Sequence, residues 1–159
     1  MTAYAGTLHS PAAFVARVNR GSSDAAKTVD AIVAEGLKHY SEPRIESIVS
    51  EIVQILAESE AETLVRAIPV SLQTADLAIQ FARLLPWSLP TPEVSPEADG
   101  EISFDWLGPQ NKMFSVSVSQ TGRIAYAGRF GERSKVHGIE QLSDTCPSEV
   151  IRGISRAIE

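Results

Sequence analysis

Apolar residues in the first half of the chain recur every three or four positions, the spacing that places them on one face of a helix. Ala25, Val29, Ile32, Val33 and Leu37 mark a helix over residues 24–40. After the punctuation of Ser41-Glu42-Pro43, Ile45, Ile48, Val49, Ile52, Val53, Ile55 and Leu56 form the strongest stripe in the sequence, with Pro43 suited to a first helical turn. Ser59-Glu60-Ala61-Glu62 has the spacing of a capping box and predicts a new helix carrying Leu64, Val65 and Ile68. A further stripe, Leu72, Ile79, Phe81, Leu84 and Leu85, predicts a helix over 71–85. Residues 1–21 are ambiguous, although Leu8, Phe14, Val15 and Val18 fit a short amphipathic helix after Ser10-Pro11. Each such helix must bury its stripe, so residues 1–85 read as a helical region with a compact layer inside it.

Past residue 100 the period falls to two. Ile102, Phe104 and Trp106 alternate with Ser103 and Asp105; Phe114, Val116 and Val118 alternate with Ser115, Ser117 and Ser119; Ile124 and Tyr126 follow on a third run. Gly108-Pro109-Gln110-Asn111 and Gln120-Thr121-Gly122 supply the turns between them. This is the pattern of an antiparallel meander with one apolar face. Val150, Ile151, Ile154 and Ile158 then define a helix opened by Asp144-Thr145-Cys146-Pro147, the natural cover for a sheet too small to stand alone. The expected fold is α+β: a helical layer, then three to four antiparallel strands covered by a C-terminal helix. Residues 86–100 contain four of the nine prolines and read as an extended connector. The division is thus 1–85, 86–100 and 101–159, with one compact domain as the simplest assembly.

Charge sharpens this picture. The net charge is −6, and residues 1–100 carry 7 basic against 13 acidic side chains, so the acidic excess belongs wholly to the N-terminal part. Such a chain is a poor generic ligand for nucleic acid, whose phosphates must be neutralised. No apolar run approaches the ~20 residues that span a bilayer, and the first residues lack a basic start with an apolar core. These features predict no membrane association and a cytoplasmic location. A lone Cys146 permits no internal disulfide.

Candidate chemistry is sparse. The histidines at 9, 39 and 137 have no metal-binding spacing, and Cys146 has no cysteine partner, so neither metal nor cofactor is expected. Cys146 before Pro147 could become a thiolate at a helix start, but a buried inert cysteine is the commoner outcome. The remaining candidate is GRIAYAGRFGERSKVHG, residues 122–138. Its Gly128-Arg129-Phe130-Gly131 has the format of an RNA backbone clamp but follows a strand, and it lacks phosphate-loop spacing. What is left is a glycine-hinged basic loop at 128–138 in which Arg129, Phe130, Arg133, Lys135 and His137 are candidate binding residues. The other side of the meander, with Ser103, Asp105, Ser115, Ser117, Ser119, Ala125 and Ala127, is a flat surface of small side chains. Either the N-terminal helices pack there or it faces solvent or a partner.

GEISFDW, FSVSVSQTGRIAYAGRFG and VHG, within residues 100–138, resemble a group of small uncharacterised bacterial proteins with the pattern GEI-x-x-x-W, FSVSV and GRIAYAG-x-x-G. The resemblance covers the last third of the chain and implies the strand-turn-strand unit ahead of a C-terminal helix. It implies no activity and no catalytic residues. The expectation is a non-enzymatic bacterial protein-interaction module that binds a partner protein, as an antitoxin, immunity protein or accessory subunit does. The alternative is an enzyme or sensor that binds a small anionic ligand at the basic loop.

Overall fold

The computed structural model describes residues 43–61 and 68–159. The helix predicted over 24–40, the segment 1–21 and most of the helix predicted after Ser59 lie outside the described residues. The protein is α+β. Helix α1 (Pro43–Ala61) and helix α2 (Leu72–Leu84) precede five strands, β1 (Glu93–Pro96), β2 (Ile102–Leu107), β3 (Met113–Val118), β4 (Arg123–Arg129) and β5 (Lys135–Gln141), and helix α3 (Ser148–Ile158) follows them. The strands form one antiparallel sheet in the order β1-β2-β3-β4-β5.

The predicted stripes form the core. Ile45, Ile48, Val49, Ile52, Ile55 and Leu56 are all buried on α1. Pro43 opens that helix, where its missing N–H costs nothing. The helix runs through Ser59 instead of ending before it, which corrects the capping-box reading. The Ser59 hydroxyl accepts the Val70 N–H at 2.7 Å and so ties the end of α1 to the approach of α2. Ser71 is the cap of α2, its hydroxyl accepting from the Thr74 N–H at 3.1 Å.

At the other end of α2 the orphan carbonyls meet a guanidinium. Arg44, in the first turn of α1, donates to the carbonyl oxygens of Leu85 (3.1 Å), Pro86 (3.0 Å) and Leu89 (2.9 Å). One side chain thus fixes the start of α1, the end of α2 and the turn that begins the proline-rich stretch. Further on, the buried Trp106 indole N–H donates to the Pro90 carbonyl at 2.9 Å. Residues 86–90 are therefore held against the body by side-chain hydrogen bonds to their backbone.

Five strands replace the three to four expected, and both additions hide from a pattern search for physical reasons. β1 is four residues long and ends on Pro96, so it lacks both length and strand composition. β5 lies in the stretch read as a basic loop, which in fact is a hairpin: β4 and β5 pair from Arg129–Lys135 to Arg123–Gln141. Its apolar alternation is broken at Gly138, because the Tyr126 ring lies where a side chain would stand; a Cβ there would meet the phenolic oxygen at 2.3 Å. The β2–β3 turn is left-handed, with φ of 55° at Gln110 and 59° at Asn111, and closes through the Lys112 N–H on the Pro109 carbonyl at 3.1 Å.

All three described helices pack on one side of the sheet. Phe81 of α2 meets Phe104 edge-on, with ring centroids 5.0 Å apart. Phe114, fully buried on β3, is covered by α3 at Gly153, where a Cβ would fall 2.0 Å from the ring. Ile102, Phe104, Trp106, Phe114, Val116, Val118 and Ile124 join the stripes of α1, α2 and α3 in one hydrophobic cluster. The Ser/Ala side is therefore not where α1 and α2 pack.

Two substitutions test this account. Gly153→Ala gains up to about 1 kcal/mol of helix propensity but forces a methyl group into the Phe114 ring. Overpacking of that kind costs roughly 1–3 kcal/mol, so the urea midpoint is expected to fall. Arg44→Ala leaves three carbonyls without their donor and is expected to destabilise by roughly 1.5–3 kcal/mol, the scale of charge-assisted hydrogen bonds; an unchanged midpoint would contradict the clamp.

Candidate functional site

Because side chains alternate along a strand, packing one side of the sheet leaves the odd-numbered residues on the other. The register aligns them in rows. Ser95, Ser103, Ser117, Ala125 and Ile139 form one; Glu93, Asp105, Ser115, Ala127 and His137 the next; Leu107, Met113, Arg129 and Lys135 the third. None of these rows is covered by a described helix.

The centre of this side is small and polar. The Asp105 carboxylate accepts the Ser103 hydroxyl at 2.8 Å and, on its other oxygen, the Ser115 hydroxyl. Both serines are thereby oriented by an acceptor, so this trio is a satisfied network, with Ser103 buried and Asp105 and Ser115 half-buried. Its margins are different. Leu107 and Ile139, 68% and 65% exposed, stand near opposite corners, large apolar side chains in water on the same side. Charge is segregated as well: Glu93 and Asp105 lie toward β1, while Arg129, Lys135 and His137 lie toward β5.

The candidate residues divide by location. Arg129, Lys135 and His137 share this open side and are exposed, Arg129 directly opposite Lys135. Arg129 Nε donates to the Asn111 carbonyl at 3.2 Å, which holds it across the left-handed β2–β3 turn. Arg133 is exposed in the hairpin turn. Phe130 is on the other side: its half-buried ring stacks on Phe114 at 6.4 Å, and the Arg156 guanidinium lies 4.2 Å from the Phe130 centroid. Arg156 Nη2 also donates to Ser134 Oγ at 2.7 Å. Phe130 thus anchors the hairpin to the last turn of α3. Arg123, at the start of β4, is paired with Glu101. The free positive charge is therefore concentrated toward the turn.

Two shallow clefts meet at Arg129 and Lys135. One, of about 400 Å³, is bounded by Gln110, Asn111, Gly131 and Glu132. The other, of about 280 Å³, has Met113, Ser115, Ala127 and His137 in its walls. Both open widely to solvent. Among the described residues no group of three or more His, Cys, Asp or Glu side chains could hold a metal ion, and no helix is long and apolar enough to cross a membrane. Leu107 and Ile139 escaped the reading of the sequence; extending the strand alternation beyond Gly131 would have exposed Ile139. Comparison with protein-family models, curated proteins and solved structures found no match to this chain.

Cys146 precedes the Pro147 cap of α3, half-buried against the core, its sulfur 3.9 Å from the Pro147 carbonyl oxygen. Burial pushes its thiol up to about 11. The helix start does not activate it, because desolvation of the thiolate outweighs the dipole. Alkylation by iodoacetamide is expected to be far slower than for an unfolded thiol near neutral pH and to rise about tenfold per pH unit until near 11. A fast, pH-independent reaction at pH 7 would contradict that state.

Proposed function

We propose that the protein is a non-enzymatic protein-interaction module of the antitoxin, immunity or accessory-subunit kind, acting in the bacterial cytoplasm. The observation that carries this reading is the side of the sheet that no described helix covers. Small side chains at its centre permit close approach, Leu107 and Ile139 supply apolar area at its margins, and Arg129, Lys135 and His137 set a basic rim. A protein partner suits this layout better than a small molecule, because a flat surface surrounds little of a small ligand while both clefts stay open. The basic rim selects a partner surface that is locally acidic and speeds encounter more than it sets affinity.

A second reading rests on the cleft at Arg129, Gly131 and Lys135, which could take a small anion. Thermal unfolding separates the two. A ligand at about 100 times its Kd adds about 2.7 kcal/mol of stability, so nucleotides and phosphorylated metabolites are expected to leave the transition unmoved if the first reading holds.

Co-expression with the products of adjacent genes is expected to yield a stoichiometric complex by size-exclusion chromatography. Ala127→Arg places a long cation on the centre of the uncovered side at an exposed position, so the fold is expected to survive. The complex is expected to weaken about tenfold or more, on the scale of a truncated or blocked interface contact. No complex with any such product, or one indifferent to Ala127→Arg, would remove the reading.

A further inference from the structure

The two edges of the sheet differ in a way that bears on how a partner is bound. Hydrogen-bonded pairs alternate along an antiparallel ladder. The Glu97 N–H donates to the Glu101 carbonyl at 2.8 Å, which makes the odd-numbered residues of β1 its inward-bonding set. Its outward N–H positions are therefore 92, 94 and 96, and two of these are Pro92 and Pro96. Proline has no N–H, so this edge is blunted against any further strand.

β5 is the reverse. The Phe130 N–H donates to the Ser134 carbonyl, and the Leu142 N–H to the Gly122 carbonyl, both at 2.8 Å. These two pairs bracket the hairpin and make the even-numbered residues of β5 its inward-bonding set. Lys135, His137, Ile139 and Gln141 thus turn N–H and C=O away from β4, with no hydrogen-bond partner for these backbone groups among the described residues. The strand is seven residues long and contains no proline. The same four residues point their side chains onto the uncovered side, where Ile139 is exposed.

We infer that the β5 edge is a strand-addition site for an extended, acidic segment of the partner protein, which pairs with the outward groups of Lys135, His137, Ile139 and Gln141. This rests on the protein-interaction reading and specifies its mode. Charge selects the occupant. Arg129, Arg133, Lys135 and His137 cluster at the hairpin end of the strand, against Glu132 in the turn and Glu140 on the covered side. The incoming segment places acidic side chains beside Lys135 and His137, and an apolar one beside Ile139. Main-chain pairing gives affinity, and these side chains give register.

Amide exchange followed by NMR tests the site, with a short synthetic peptide carrying one valine and two glutamates at successive alternate positions, and threonine between them, as probe and the same peptide with lysine for glutamate as control. The acidic peptide is expected to slow exchange at the amides of Lys135, His137, Ile139 and Gln141 by about tenfold or more. The amides of Val136, Gly138 and Glu140, already bonded to β4, are expected to change little. Ile139→Pro removes an outward donor without breaking the β4 ladder and is expected to weaken binding about tenfold beyond Ile139→Ala, which loses the side chain but keeps the donor, a difference of roughly 1.4 kcal/mol. Should that variant unfold, the wild-type protein with a peptide N-methylated on its pairing edge gives the same reading and the same expected loss. Four unprotected amides, equal binding of the lysine peptide, or shifts confined to the turn at Arg133 would each overturn the inference. So would protection without peptide that grows with protein concentration, since a second copy would then be the occupant. Failure here, alongside a partner complex that Ala127→Arg disrupts and Ile139→Pro spares, would remove the edge site and leave the partner-binding face intact.

Discussion

Phe114 sits in space that two other positions leave empty. Its ring is fully enclosed, stacks on Tyr126 and Phe130 at 5.8 and 6.4 Å, and occupies the volume that side chains at Gly128 and Gly153 would need. The distance between α3 and the sheet is set by that contact, because neither glycine leaves a methyl group of slack. Through Phe130 and Arg156 the same ring fixes the tip of the β4–β5 hairpin. Close packing on one side of the sheet draws all three described helices there, and none of them covers the other side.

Much of the architecture was legible because it rests on burial, and burial leaves a periodic trace. The stripe from Ile45 to Leu56, the alternation of Ile102, Phe104 and Trp106, and the spacing of Val150 and Ile154 each name a buried surface. The parts that stayed hidden have other causes. β1 is held by main-chain pairing and by its place beside α1, and its Pro96 argues against a strand when read alone. β5 is an edge with only Val136 half-buried toward the core, so no hydrophobic repeat marks it. Ser59 has the spacing of a cap, but its hydroxyl is engaged by the distant Val70 N–H, a contact no local pattern contains.

The candidate site was legible in charge and not in geometry. Arg129, Lys135 and His137 are conspicuous as basic residues on an acidic chain, and the hairpin brings them to one side of the sheet. Phe130 looked like their equal, yet its ring belongs to the Phe114 stack, since one residue along a strand reverses the side a side chain faces. Arg123 is spoken for by Glu101. Which backbone groups point outward is a matter of hydrogen-bond parity, and residue types alone do not carry that information.

The strand order also has a consequence for how the molecule comes into being. Every described strand pairs with its neighbours in sequence, so the sheet can assemble hairpin by hairpin at low contact order as the chain leaves the ribosome. The helix that covers Phe114 is encoded after all of them. Until Arg156 has emerged, the aromatic stack is open to water and the hairpin tip has no helix to rest on, a period in which a nascent chain is vulnerable to misassociation. Closure of the core and immobilisation of the basic hairpin therefore wait on the same helix.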